Sequence, residues 1–263
     1  MNKKFLELAK KSKVIVIKVG SNILVNEKHV LRKKWLNSLI EDVKELQKRG
    51  SKIIIVSSGA IALGRNILSK KKLTNLHEKQ AAASIGQIQL SQQWQKAFAK
   101  LNIQSSQILI TAEDLNERRK YLNIRNTIYS LMDLDVVPII NENDTTSTEE
   151  IRFGDNDKLS AMIANALSAE LLILLSDVNG LYTANPKKSL QAKLITSVEE
   201  VDQQIEKYID KDLSEFGSGG MLAKINAAKL CIQSGSTMII SNGLVNNPLS
   251  KIDPQSSTWF HPS

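Results

Sequence analysis

Six short runs rich in Ile, Val and Leu recur along the chain, and none alternates apolar with polar residues. They are Val14 to Val19, Lys52 to Val56, Gln107 to Ile110, Val136 to Ile140, Leu171 to Leu175 and Thr237 to Ile240. Short apolar runs without a period of two suit strands covered on both faces, the situation of parallel strands in a layered fold. Helical patterns separate them. Leu36, Leu39, Ile40, Val43 and Leu46 fall on one helical face, and Gly50 follows as a stop. Glu78 to Ala99, Tyr121 to Asp133, Lys158 to Ser168 and Met221 to Gln233 read as further helices. The alternation predicts an α/β fold, a three-layer αβα sandwich with a mostly parallel central sheet. A chain of 263 residues is long enough to give it a substantial core. No repeat or low-complexity linker interrupts the pattern, and a division into two lobes is expected near Ser168.

Several classes are excluded early. No apolar run approaches the roughly eighteen residues of a membrane span. Val14 to Ile17 is too short to be the core of a signal peptide, so a cytoplasmic protein without a membrane partner is expected. Cys231 is the only cysteine, which rules out an intrachain disulfide; in its helical stretch it reads as a buried, inert thiol. His29, His77 and His261 are dispersed and show no metal-ligand spacing, so no protein metal ligand is assigned. The net charge of +8 fits an anionic substrate as well as nucleic acid. Lysine runs such as Lys70-Lys71-Lys72 lack interleaved aromatics, which total 5 %, so bases would find few stacking partners. Nucleic acid is not expected as a partner.

Ligands of open sheets bind beyond the carboxyl ends of the strands. Those ends read Lys18-Val19-Gly20-Ser21-Asn22, Ser57-Ser58-Gly59-Ala60, Asn141-Glu142-Asn143-Asp144 and Ser176-Asp177. One such end is ordinary turn chemistry; four together point to a site. Asn141-Glu142-Asn143-Asp144 and Gly154-Asp155-Asn156-Asp157 offer acceptors to a cation and amide donors to an anion, a combination suited to a zwitterionic small molecule. Gly59 to Gly64 has the spacing of a phosphate-binding P-loop, but Arg65-Asn66 stands where Lys-Ser/Thr belongs, and the motif fails. What remains is a glycine-rich helix start with free N–H groups for an anion. Gly217-Ser218-Gly219-Gly220-Met221, followed by Lys224, is the second glycine-rich turn. No strand precedes it and Leu222 occupies the last glycine position, so it is no dinucleotide fingerprint. Its backbone can come close to phosphates, or serve as a hinge. Lys18 ends an apolar strand, where its ammonium either meets an anion or snorkels to solvent.

These elements, in this order, resemble the amino acid kinase family, and most closely its branch that phosphorylates glutamate. The matching residues are Lys18-Val19-Gly20-Ser21, Val56-Ser57-Ser58-Gly59-Ala60-Ile61, Asn141-Glu142-Asn143-Asp144, Gly154-Asp155-Asn156-Asp157, Ser176 to Thr183 and Gly217-Ser218-Gly219-Gly220-Met221. The resemblance runs from Lys13 to Thr258-Trp259-Phe260. Its most specific part is the pair of Asn-Glu-Asn-Asp and Gly-Asp-Asn-Asp segments. Two departures matter. The family usually has a threonine directly before the second lysine, whereas here Leu222-Ala223 precedes Lys224 and a hydroxyl near the phosphates is lost. Many relatives also carry a carboxyl-terminal PUA domain. Here a single kinase domain over 1–263 without one is expected, with a lobe of about 1–168 for the amino acid and one of about 169–263 for the nucleotide.

The resemblance implies ATP-dependent phosphorylation of the side-chain carboxylate of L-glutamate to L-glutamyl 5-phosphate, the first step of proline biosynthesis. It assigns catalysis to Lys18, Lys224 and Asp157. It gives the amino acid to Ser58, Gly59, Asn141, Asp144, Asp155 and Asn156. ATP would be held by Lys18, Ser176, Asp177, Ser218, Gly219, Gly220, Met221, Leu222, Ala223 and Lys224, with Mg²⁺ bound mainly through the phosphates. A glutamate carboxylate, with a reference pKa of about 4.3, is already ionised at neutral pH and needs no general base. The obstacle is one anion approaching another, which calls for cations around the transferring group. Proline is expected as a feedback inhibitor using Asp144 and Asn156, under a lid formed by Asn66 to Lys79. A homodimer or homotetramer joined through the amino-terminal half is expected as well. The alternatives are a kinase of this fold with another acceptor and a non-catalytic amino-acid or nucleotide sensor.

Overall fold

A computed structural model describes residues 1–70, 72–146, 156–186, 189–203, 205, 208 and 220–262. Its strands are β1 (Val14–Val19), β2 (Lys52–Ser57), β3 (Gln104–Ile110), β4 (Val136–Glu142), β5 (Leu171–Ser176), β6 (Leu181–Tyr182), β7 (Leu194–Ile195), β8 (Ser197–Val198), β9 (Thr237–Asn242) and β10 (Thr258–Phe260). Its helices are α1 (Lys3–Lys11), α2 (Ser21–Leu24), α3 (Lys33–Lys48), α4 (Ala60–Ile67), α5 (Leu76–Ala99), α6 (Ala112–Asn116), α7 (Arg118–Asp133), α8 (Asn156–Ala166) and α9 (Met221–Gln233). Among the described residues one sheet runs in the order β3-β4-β2-β1-β5-β9-β10-β8, and β6 with β7 forms a separate ribbon. From β3 to β9 all neighbours are parallel; β10 runs antiparallel to β9 and parallel to β8.

The reason for the unbroken apolar runs is visible in the two cores. Ile15, Ile17, Ile53, Ile55, Ile139 and Ile173 face α1, α3 and α5, where Phe5, Leu39 and Trp94 meet them. Their chain neighbours Val16, Ile54, Ile140, Leu172 and Leu174 face the opposite layer, against Ile128 of α7, Ile163 of α8 and Ile225 of α9. Both faces of each central strand are buried, so alternation would place polar groups in one core. The protein is therefore a three-layer αβα sandwich. Cys231 lies fully buried in α9, and burial pushes its thiol up to about 12.

Some elements depart from the expected bounds. β3 begins at Gln104 rather than Gln107, because it is the sheet edge and all of its residues but Ile110 stay at least partly accessible. α8 begins at Asn156, which places Asn156 and Asp157 in its first turn. α1 was not foreseen: it buries only Phe5 and Ala9 and otherwise presents lysines to water. The expected lid, Asn66 to Lys79, lies partly within helices. Its first two residues end α4 and its last four open α5, and Lys70 pairs with Glu78 at 2.7 Å between them.

α4 and α5 cross at two glycines. A Cβ at Gly86 would stand 1.8 Å from the carbonyl oxygen of Ala60, and one at Gly64 would stand 1.7 Å from that of Ala82. Backbone cannot yield as a side chain does, so Gly86→Ala should force the helices apart. The expected loss is on the order of 1–3 kcal/mol, read as a lower urea midpoint by circular dichroism. A midpoint unchanged from wild type would mean that the crossing is looser than described.

Candidate active site

Three charged side chains meet beyond the carboxyl end of β1. The Lys18 ammonium lies 2.5 Å from Asp157 Oδ1, and Lys224 Nζ donates to Asp157 Oδ2 at 3.0 Å. Lys18 is the penultimate residue of the central strand β1, Asp157 lies in the first turn of α8, and Lys224 sits in the first turn of α9. They are 7 %, 2 % and 9 % exposed. Burial alone would lift the Asp157 carboxyl, but the Lys18 and Lys224 ammonium groups outweigh it and hold it below its ordinary value. Among the described residues one carboxylate, Asp157, thus bridges two cations in a nearly dry setting. Two ammonium groups held at one point can help stabilise an anion that arrives from outside.

Beside this cluster stands a polar pocket organised by one amide. Asn156 Nδ2 donates to the Ser57 carbonyl at 2.9 Å, to Ser58 Oγ at 2.8 Å and to Asn141 Oδ1 at 3.0 Å. Asn141 Oδ1 also accepts from the Glu142 N–H at 2.9 Å, while Asn141 Nδ2 donates to Gln87 Oε1 at 2.8 Å. Ser57 Oγ in turn accepts from Trp94 Nε1 at 2.9 Å. With every amide oriented in this way, Asn156 Oδ1 is buried and finds no hydrogen-bond partner among the described residues. A cavity of about 170 Å³ opens here, lined by Ser21, Ser58, Gly59, Ala60, Asn141, Glu142, Asp144 and Asn156. Burial, and then the neighbouring Glu142 carboxylate, push Asp144 up to about 7. A cationic guest would relieve both effects.

Anion donors face the same region. α4 starts after Gly59, whose φ of 108° is a left-handed conformation that favours glycine, and no side chain caps the helix. α2 and α9 likewise follow glycines, Gly20 and Gly220, without a side-chain cap. Away from the site, α1, α5 and α6 are capped by Asn2, Asn75 and Thr111, while α3 and α7 carry no side-chain cap. The first-turn N–H groups of the glycine-led helices are therefore open to carboxylate or phosphate. The cavity is lined both by the start of α4 and by the acidic Glu142 and Asp144, a combination of donors and acceptors that matches a zwitterion.

The remaining candidates lie toward the other half of the sheet. Ser176 is buried at the end of β5, and its hydroxyl donates to the exposed Asp177 carboxylate at 3.3 Å. Asn242, ending β9, donates to Asn179 Oδ1 at 3.0 Å. Gly220 and Met221 open α9, Ala223 is buried, and Leu222 is 41 % exposed. Gly154, Asp155, Ser218 and Gly219 lie outside the described residues. Among the described residues no group of three or more His, Cys, Asp or Glu side chains is disposed to hold a metal. Two ammonium groups beside a helix start without a side-chain cap fit nucleotide phosphates, and a divalent ion that travels on those phosphates needs few protein ligands. Sequence reasoning did not single out Glu142 or Gln87 as pocket residues. Glu142 sits inside a quoted motif, whereas Gln87 lies in a helix without any signal.

A model of the amino acid kinase family matches residues 13–242. The chain is 51 % identical over 255 residues to the glutamate 5-kinase of Pelagibacter ubique (strain HTCC1062), a match covering 96 % of this chain and 69 % of that protein. It is 47 % identical over 251 residues to the glutamate 5-kinase of Rhizobium johnstonii, covering 95 % of this chain and 64 % of that protein. The chain thus spans about two thirds of the length of these relatives. Among solved structures, the carbamate kinase from Giardia lamblia bound to AMP-PNP superposes with a TM-score of 0.65 at 15 % identity, over 97 % of this chain and 100 % of that one. The UMP kinase from Ureaplasma parvum gives 0.64 at 17 %, over 95 % and 98 %. At those identities the likeness is one of fold. Taken with the family match across most of the sequence, it leaves one assignment: the chain belongs to the amino acid kinase family.

Proposed function

We propose that this protein transfers the γ-phosphoryl group of ATP to the side-chain carboxylate of L-glutamate, giving L-glutamyl 5-phosphate and ADP, the first step of proline biosynthesis. The observation that carries the reading is a zwitterion-sized polar cavity adjoining the Lys18–Asp157–Lys224 cluster. The substrate's α-ammonium is assigned to Asp144 and to Asn156 Oδ1, and its α-carboxylate to the open N–H groups of α4. Its side-chain carboxylate oxygen attacks the γ-phosphorus as the bond to the ADP oxygen breaks. That carboxylate arrives ionised, so the protein moves no proton. Lys18 and Lys224 neutralise the gathering charge while Asp157 fixes both ammonium groups. Acidic acceptors suit a free α-ammonium and disfavour an N-acylated substrate.

ATP is placed against Ser176, Asp177 and the start of α9, with Mg²⁺ entering on its phosphates. Residues up to about 168 serve mainly the amino acid and those beyond it the nucleotide. We place the enzyme in the cytoplasm as a homodimer or homotetramer, and assign Asp155, Ser218 and Gly219 the substrate and nucleotide contacts that their motifs imply. ADP release measured with glutamate, aspartate, N-acetylglutamate and UMP tests the reading. Turnover with another acceptor but not with glutamate would overturn it.

Lys18→Ala and Lys224→Ala should each lower kcat by roughly a hundredfold or more, as loss of a transition-state donor does elsewhere, with far-UV circular dichroism unchanged. Near-normal turnover of either variant at saturating substrates would end the two-lysine mechanism. Asp144 adds a pH dependence whose sign follows from its raised value of about 7. Below that pH the carboxyl is protonated and cannot hold an ammonium, so the KM for glutamate should rise about tenfold from pH 8 to pH 6. The KM for ATP should stay level, and Asp144→Asn should raise and flatten the glutamate profile. A wild-type glutamate KM indifferent to pH would remove Asp144 from the ammonium site.

Proline shares the α-amino and α-carboxylate groups of glutamate but has no carboxylate to phosphorylate. It is expected to compete through the same Asp144 and Asn156 contacts. Initial rates at several glutamate concentrations should show inhibition relieved by glutamate. Inhibition indifferent to glutamate, or none at millimolar proline, would exclude a shared pocket.

A further inference from the structure

The two asparagines of the amino-acid pocket, Asn141 and Asn156, belong to a longer row of side-chain amides whose far end lies on α5 and β3. Asn156 Nδ2 donates to Asn141 Oδ1 at 3.0 Å, and Asn141 Nδ2 donates to Gln87 Oε1 at 2.8 Å. Gln87 Nε2 in turn donates to Gln107 Oε1 and to Ser91 Oγ, both at 3.1 Å, and Ser91 Oγ donates to Gln107 as well. An amide carries an oxygen at one end and an NH₂ group at the other, so a row of them has a direction. Reversing any one member sets donor against donor or acceptor against acceptor.

Two backbone groups set that direction. The Ser57 carbonyl can only accept, and it meets Asn156 Nδ2 at 2.9 Å. The Glu142 N–H can only donate, and it meets Asn141 Oδ1 at 2.9 Å. Asn141 must therefore turn its nitrogen away from Asn156 and toward α5, where the Gln87 oxygen receives it. Asn141 is buried, and a buried amide nitrogen without an acceptor is costly to hold in place.

Packing explains why a side chain of α5 stands there. Gly86 brings α5 so close to α4 that a Cβ on it would lie 1.8 Å from the Ala60 carbonyl oxygen. The next residue, Gln87, is thereby held against β3 and β4, facing Gln107 and Asn141. Ala60 opens α4 and lines the amino-acid cavity, so one helix crossing supports both ends of that pocket. Asn141 also lines a groove of about 300 Å³ between α5 and β3, on the side away from the cavity. It is a partition between the two spaces, and Gln87 braces it from the groove.

We propose that Gln87 is a positioning residue for the amino acid. By accepting from Asn141 Nδ2 it holds Asn141 Oδ1 against Asn156 Nδ2, and so keeps Asn156 Oδ1 free to accept the α-ammonium of the substrate. This role rests on the reading of the pocket as a glutamate site. Gln87 touches no reacting atom. Without its oxygen Asn141 turns to find another acceptor, Asn156 loses its fixed partner, and the ammonium loses its own. The consequence falls on binding, while the Lys18–Asp157–Lys224 cluster stays as it is.

Methionine and glutamate at position 87 separate bracing from space-filling. Gln87→Met keeps the length of the side chain and keeps water out, but offers no amide oxygen. It should raise the glutamate KM about tenfold, with kcat within about twofold and the ATP KM unchanged, as leaving one polar group unpaired does. Gln87→Glu keeps an acceptor toward Asn141, and Ser91 Oγ can donate to its second oxygen. Its glutamate KM should return to within about threefold of wild type. Should Gln87→Met fail to fold by far-UV circular dichroism, Gln87→Leu replaces it. A wild-type glutamate KM in Gln87→Met would overturn the proposal, because a side chain that only fills space is served as well by methionine. So would a Gln87→Glu protein as impaired as Gln87→Met, or a loss shared by kcat and the ATP KM, which marks a general disturbance of the fold. A wild type that turned over no glutamate would overturn the kinase reading and this role with it, whereas the other failures leave the kinase reading standing.

Discussion

The site depends on one carboxylate held between two cations. Asp157 reaches Lys18 with one oxygen and Lys224 with the other, and each partner comes from a different element. Three buried charges are tolerable only because each has an opposite within contact distance. The arrangement fixes where β1, α8 and α9 must meet, and it puts the meeting point beyond the middle of a parallel sheet. β1 is flanked by β2 on one side and β5 on the other, so Lys18 has packed strands around it and little freedom to leave. Positions that an enzyme needs to hold within fractions of an ångström are in this way set by the most rigid part of the fold.

Around that point the fold sorts its chemistry by sign. Acceptors gather at the ends of β4 and the start of α8; unbonded N–H groups gather where α2, α4 and α9 begin after glycine. The amide of Asn156 stands at the border, spending its donors on Ser57, Ser58 and Asn141 and keeping its oxygen for a guest. The burial that raises Asp144 toward neutrality has the same origin, since a carboxyl enclosed beside Glu142 gains from a cation more than an exposed one would.

Much of this was legible in the sequence because doubly buried strands cannot alternate. Val14–Val19 and Met221–Gln233 agree with their expected bounds, and the other central strands begin where their apolar runs begin. β3 hid its first half, since Gln104-Ser105-Ser106 belongs to an edge that need not be apolar. α1 hid behind its lysines, and β8 and β10 were too short to leave a pattern. The carboxyl-end residues Ser58, Asn141 and Ser176 followed from where parallel strands stop. That Lys18, Asp157 and Lys224 touch did not: no local pattern reports a contact between residues so far apart in sequence, and only the resemblance placed them together. Gln87 gave no sign at all, because a glutamine on an amphipathic helix looks the same whether it meets water or an asparagine.

The glycine-led helix starts have a consequence for the life of the protein. α1, α5 and α6 satisfy first-turn N–H groups with Asn2, Asn75 and Thr111, whereas α2, α4 and α9, like α3 and α7, have no side-chain cap; on the proposed function an arriving anion takes up those at the site. A missing side-chain cap costs about 1 kcal/mol, and a ligand that binds only the folded state returns stability in proportion to its concentration. On the proposed function, substrates would serve as removable parts of the scaffold. A cell short of them would hold a protein that opens more often at these helix ends and falls sooner to its proteases, so that the quantity of enzyme would follow the supply of what it consumes.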